Sequence, residues 1–193
     1  MALITKSDLR NRVIQSSGFY TEINARRFAE SQLLNEKKAA DASSETFDIF
    51  LSHSSEDAIH IEGLRDLLTD AGFSVYVDWI NDPQLNRANV TPATAALLRE
   101  RMKRSRSLLY ATSDSSKKSV WMPWELGYMD AYTNTRVAIV PIVDDDAASG
   151  GFRGQEYLGI YPYLDKLGSS FWIHASSSSY KSFSDWLEGS NPS

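Results

Sequence analysis

The chain of 193 residues contains no cysteine. That absence removes a thiol nucleophile, an iron–sulfur cluster and a cysteine-ligated zinc site, and it fits a reducing compartment, with the cytoplasm as the expected location. Histidine is scarce: His53, His60 and His174 are the three present, and none lies in an H-E-x-x-H pattern, so no metal site is expected. No run approaches the about 18 consecutive apolar residues of a spanning helix, and the N-terminus lacks a basic segment followed by a long apolar one. A membrane partner is therefore not expected. The 20 Lys and Arg against 25 Asp and Glu leave a net charge of −5, which opposes a phosphate backbone and argues against a nucleic-acid partner. Phosphate-cradling loops are missing as well. No G-x-x-x-x-G-K-[ST] follows a strand, Gly150-Gly-Phe-Arg-Gly154 does not fit G-x-G-x-x-G, and G-x-S-x-G is absent.

What is present is an alternation of strand and helix patterns. Residues 6–40 carry Leu9, Val13 and Ile14, then Ile23, Phe28, Leu33 and Leu34, at helical spacing. They predict two helices broken near Ser16-Ser17-Gly18, with the small polar stretch 39–45 as a linker. From Phe47 onward, strands are predicted at 47–52, 73–78, 106–112, 137–143 and 170–175. Helices are predicted at 56–70, 92–105 and 121–133, and a last one after the serines at 176–179. The Tyr-rich stretch 156–166, interrupted by Pro162, has no regular pattern. Such alternation implies an α/β fold, a five-stranded parallel sheet with helices on both faces. The boundaries follow: 1–45 as an N-terminal helical extension and linker, 46–189 as the main domain.

In an open sheet of this kind, ligands bind beyond the carboxyl ends of the strands. Ser119-Val-Trp-Met-Pro-Trp-Glu125 follows the third predicted strand and places a carboxylate at the start of a helix. Glu125 lies four residues after Trp121, so both side chains share one helix face. An indole beside a carboxylate suits a planar cationic ligand. Ser52 and His53 end the first strand, while Asp78 and Trp79 end the second, so all four are candidates for the same pocket.

Phe47-Asp-Ile-Phe-Leu-Ser-His53, Gly72-Phe-Ser-Val-Tyr-Val-Asp78 and Ser119-x-Trp121-x-x-x-Glu125 together resemble the Toll/interleukin-1 receptor (TIR) domain over roughly residues 47–187. The W-x-x-x-E element is similar to that of bacterial TIR enzymes that consume NAD in anti-phage defence, of the Thoeris-like type. The resemblance implies a flavodoxin-like sheet, Glu125 as the catalytic glutamate and Trp121 as the aromatic lining the nicotinamide and ribose pocket. It further implies NAD as substrate with no cofactor, self-assembly through TIR–TIR contacts and a separate sensor or effector protein. In such enzymes the loop after the second strand, here Trp79 to Val90, commonly reaches a neighbouring subunit. This loop departs from the common pattern by lacking the usual glycine.

The chemistry of NAD is consistent with a single carboxylate. Nicotinamide leaves as a neutral molecule from a cationic linkage, so no general acid is required, unlike ordinary glycoside hydrolysis. Attack by water gives ADP-ribose; attack by another part of the same molecule gives a cyclic isomer. The sequence leaves both open.

Plainer readings stand beside these. Trp121 and Trp124 can simply pack their helix on the sheet, and Glu125 can be a first-turn carboxylate facing the helix dipole. His53 can be a strand-end side chain with a satisfied hydrogen bond. Arg99, Arg101, Lys103, Arg104 and Arg106 read as a solvated face balanced by Glu100 or, alternatively, as an assembly surface. The rival function is a non-catalytic TIR scaffold acting through homotypic contacts. A third reading is a nucleoside or nucleotide glycosyltransferase with Glu125 as covalent nucleophile.

Overall fold

The computed structural model describes residues 2–18, 23–25, 27–31, 46–77, 91–113, 116–149, 151–152, 154 and 156–192. The predicted linker at 39–45, Asp78, Trp79 and the loop to Val90 lie outside the described residues.

The first strand of the main domain, β2 (Phe47–Ser52), alternates strictly: Ile49 and Leu51 face one core, Phe50 the other. The same period of two runs through β4 (Ser105–Thr112) and β5 (Val137–Val143), each buried on both faces as parallel strands between helices must be. A short β3 (Val75–Val77) pairs with β2, and the order β3-β2-β4-β5 is parallel throughout. On one face lie α1 (Lys6–Ser17), α2 (Ala58–Asp70) and α5 (Phe183–Leu187); on the other lie α3 (Pro92–Met102) and α4 (Trp121–Tyr132). Met122, Leu126 and Met129 recur at helical spacing along α4 and are buried in the core under it.

The α/β class and the helices on both faces agree with the sequence reading, but the sheet carries eight strands where five are predicted. Three strands account for the difference, β1 (Ile4–Thr5), β6 (Tyr163–Leu167) and β8 (Tyr180–Ser182). β6 (Tyr163–Leu167) begins directly after Pro162, a position where proline's missing N–H does no harm. β7 (Ser170–His174) turns back antiparallel on β6 through Gly168-Ser169, with Gly168 at φ 61, so the predicted last strand belongs to a hairpin. β8 (Tyr180–Ser182) extends that hairpin before Ser182 caps α5 by accepting from Asp185 N–H at 3.1 Å.

The remaining strand, β1 (Ile4–Thr5), is two residues long and pairs in parallel with Ile142 and Val143 of β5. It occupies the end of β5 beyond the pairing with β6, which is confined to Ile139 and Tyr163. Thr5 then caps α1 by accepting from Asp8 N–H, and Gly18 at φ 69 ends that helix where the Ser-Ser-Gly break predicts. The N-terminal extension is thereby joined to the sheet of the main domain. Helical residues 23–25 and 27–31 follow, and Ala25 and Ala29 share a small core with Val13 and Ile59.

The basic run does not form one solvated face. Arg99 lies over the Trp124 ring, Arg104 over Phe47, and Arg106 pairs with Asp48 and Glu188. Lys103 pairs with Glu100 as anticipated, whereas Arg101 is buried. Consecutive helix positions point 100° apart, and the α3–β4 turn separates the rest.

Candidate active site

The strand order β3-β2-β4-β5-β6 reverses direction between β2 and β4, which makes the carboxyl ends of these two strands the topological switch point. Ser52 closes β2 there and is paired in register with Tyr110 of β4. Ser52 Oγ donates to Glu125 Oε2 at 2.6 Å in a buried hydrogen bond. Two candidates far apart in sequence thus meet at the point where an α/β sheet keeps its ligands.

Glu125 is the fifth residue of α4 and is 1% exposed. It therefore stands one turn beyond the helix start, and the first-turn dipole interaction gives no account of it, because that effect fades within the first turn. One turn earlier, Trp121 is 5% exposed, and its indole N–H has no hydrogen-bond partner among the described residues. A buried donor left unpaired costs about 1–3 kcal/mol, a cost that a ligand oxygen would relieve. Trp124 packs edge-on against Trp121 at 5.5 Å and stacks on Tyr128 at 5.9 Å. It supports the first indole from the outer flank of α4.

Tyr110 lies beneath α4 and is the central polar group that the sequence reading missed. Burial pushes its hydroxyl above the ordinary tyrosine range. A hydrogen bond with Tyr157 and the nearby Glu125 carboxylate act in the same direction, so the phenol stays protonated. A cavity of about 560 Å³ opens beyond it at the ends of β4 and β5, walled by Phe152, Leu158 and Ile142. A smaller one of about 220 Å³ opens on the other side of the α4 N-terminus, beside Trp121, Ser54 and Lys118. Ser119 lines both. Glu125 lines neither of these two cavities.

Of the other candidates, His53 is buried next to Ser52 with Nδ1 2.9 Å from the Leu51 carbonyl, which fixes the ring against its own strand. Ser113 Oγ donates to Asp57 Oδ2 at 2.5 Å and ties the loop after β4 to the turn before α2. His60 stands 3.8 Å from the other Asp57 oxygen. Serine and histidine thus both face the aspartate, an order that places no base on the serine hydroxyl and gives no hydrolase triad. His174 pairs with Asp165 at 3.0 Å between β7 and β6, remote from the switch point. Ser52 and Glu125 are brought into contact, with Trp121 on the adjoining helix turn. Asp78 and Trp79 are outside the described residues.

Comparison with known proteins bears on the family. A probable 3′ cyclic ADP-D-ribose synthase, ThsB′ of Bacillus cereus (strain MSX-D12), is 42% identical over 198 residues, covering 97% of this chain and 99% of that protein. A putative cyclic ADP-D-ribose synthase, TIR2 of Cytobacillus dafuensis, is 29% identical over 114 residues, which are 58% of this chain and 28% of that protein. The family profile described as TIR domain matches residues 49–186, a span that includes Ser52, Trp121 and Glu125. The chain belongs to the TIR domain family.

Proposed function

We propose that this protein cleaves the nicotinamide–ribose bond of NAD and closes the remaining ADP-ribosyl group into a cyclic ADP-ribose-type signal for bacterial anti-phage immunity. The observation that carries the reading is the buried Ser52–Glu125 hydrogen bond at the switch point, one helix turn from a buried indole. The names of the two relatives support the product class, and that of the Bacillus cereus protein supports a 3′ linkage.

The reaction needs little from the protein. The bond between the ribose carbon and the nicotinamide nitrogen breaks, and its electron pair leaves with nicotinamide, which becomes neutral. Positive charge then develops on the sugar, and the Glu125 carboxylate stabilises it in a site where water screens little. Ser52 holds the carboxylate in one orientation. Trp121 offers an aromatic face to the pyridinium and an N–H to a ribose or phosphate oxygen. In cyclisation, a hydroxyl of the other ribose bonds to the freed carbon and releases its proton. Excluding water favours that outcome over hydrolysis.

Several features extend the reading. Glu125 is 1% exposed in the single chain, and self-assembly through TIR–TIR contacts is the rearrangement we assign to opening it. NAD as substrate implies a cytoplasmic setting; among the described residues, no helix is long and apolar enough to cross a membrane. A diffusible product implies a separate protein that receives it. Ser52, Trp121 and Glu125 form the proposed core of the site, with His53, Asp78 and Trp79 as further pocket residues, on a domain spanning 46–189.

The test is nicotinamide release from NAD by wild-type protein and by Glu125→Gln, which keeps the shape and removes the charge. Loss of a transition-state carboxylate predicts a fall of ~10²-fold or more at unchanged circular dichroism. Unchanged turnover in the variant would overturn the role of Glu125, and no nicotinamide release by the wild-type protein would leave the scaffold reading in possession.

A further inference from the structure

We infer that the cavity of about 560 Å³ at the ends of β4 and β5 is a nucleoside subsite that takes the adenosine half of NAD. The inference rests on the NAD-cleaving reading above and adds where the rest of the substrate lies.

Volume and lining both point to a nucleoside. The cavity falls within the roughly 300–1,000 Å³ of small-molecule sites. Its lining combines aromatic and aliphatic walls, Phe152 and Leu158 from the segment before β6 and Ile142 from β5, with the hydroxyls of Thr112, Ser113 and Ser116. A flat base gains most from such walls through stacking and burial. The charges at the mouth disfavour a phosphate there. Lys6 is paired with Asp144 at 3.2 Å, and the Glu156 carboxylate lines the same opening. A neutral ring carrying an amine, with a ribose diol beside it, suits carboxylate acceptors; a diphosphate does not.

Position gives the second argument. Ser119 lines both this cavity and the smaller one beside Trp121, so a bipartite ligand can pass from one to the other over the start of α4. Ser119 Oγ accepts from Met122 N–H at 3.3 Å, which leaves its own proton to donate to a bridging oxygen. Underneath, Tyr110 lines the cavity and stands close enough to Glu125 to feel its charge. An adenosine held in the cavity would thus have its ribose fixed relative to the carboxylate. Fixing that ribose decides which hydroxyl reaches the freed carbon.

Calorimetric titration of the full chain with adenosine tests the assignment, alongside Leu158→Trp, Phe152→Ala and Trp121→Ala. Saturable binding is expected, weakened at least 10-fold by Leu158→Trp, which fills the cavity, and by Phe152→Ala, which removes a stacking wall. Trp121→Ala should leave it within twofold, and inosine, which presents a carbonyl in place of the amine, should bind several-fold more weakly. No saturable binding at millimolar adenosine, or binding indifferent to both cavity variants, would overturn the subsite. So would a loss caused by Trp121→Ala alone. Nicotinamide release from NAD, measured in parallel, separates the two readings. Release without adenosine binding fails the subsite only, and cavity-dependent binding without release fails the NAD reading only.

Discussion

Ser52 and Glu125 lie 73 residues apart and meet at 2.6 Å; what each does follows from burial. A carboxylate removed from water needs a donor, and Ser52 supplies one, so Ser52→Ala should lower the rate of nicotinamide release about 10-fold. If the bond orients the carboxylate proposed to react, the loss should appear in kcat with KM little changed; the reverse pattern would make Ser52 a binding residue. A second buried carboxylate predicts a pH dependence of stability. Burial raises Glu62 from its ordinary 4.5 to about 8, and Asp66 adds to the rise. Arg65 donates to Glu62 at 2.9 Å but also to Asp66 at 2.5 Å, so its charge is divided. Between pH 4.5 and 8 the unfolded chain loses this proton while the folded one keeps it, so stability falls as pH rises through that window. Glu62→Gln should therefore raise Tm at pH 8 and leave it nearly unchanged at pH 4.5. An equal shift at both pH values would show that ionisation is not the cause.

At the scale of elements, a close backbone approach joins the extension to the domain. A Cβ at Gly63 of α2 would overlap the Leu9 carbonyl of α1 and stand 2.9 Å from the Leu9 Cα. Gly63→Ala should cost ~1–3 kcal/mol by overpacking, read as a lower urea midpoint at unchanged slope; a neutral effect would mean the two helices are free to part. Elements with a clean period were legible in the sequence. Phe47–Ser52 and Val137–Val143 match the sequence reading to the residue, and α4 to within one, because their apolar spacing is uninterrupted. Of the β6–β8 hairpin only β7 was legible, since tyrosines and Pro162 obscure the alternation in β6, and β1 and β8 are too short to carry one. The Trp121/Glu125 pair was legible from spacing on a single helix. Its contact with Ser52 and the place of Tyr110 depend on strand register, which no local pattern encodes.

For the whole molecule, the extension and the domain share one sheet. Ile4, Leu9 and Val13 are fully buried against it and against α2, and each such side chain contributes roughly 1.5–3 kcal/mol. Their sum is comparable with the roughly 5–15 kcal/mol that holds a typical domain folded. A chain beginning at residue 19 should accordingly lose its cooperative thermal transition; a fragment melting like the full chain would show that the extension is dispensable. The N-terminal strand and helix also bring Lys6 to the mouth of the cavity of about 560 Å³.

The central claim is chemical, and the mass of the product tests it most directly. Concentrated protein in a crowding agent, incubated with NAD and analysed by chromatography and mass spectrometry, should give nicotinamide and an ADP-ribosyl product lighter than ADP-ribose by one water. NAD recovered intact from the assembled protein would contradict the enzyme, and ADP-ribose as the sole partner of nicotinamide would contradict the cyclisation.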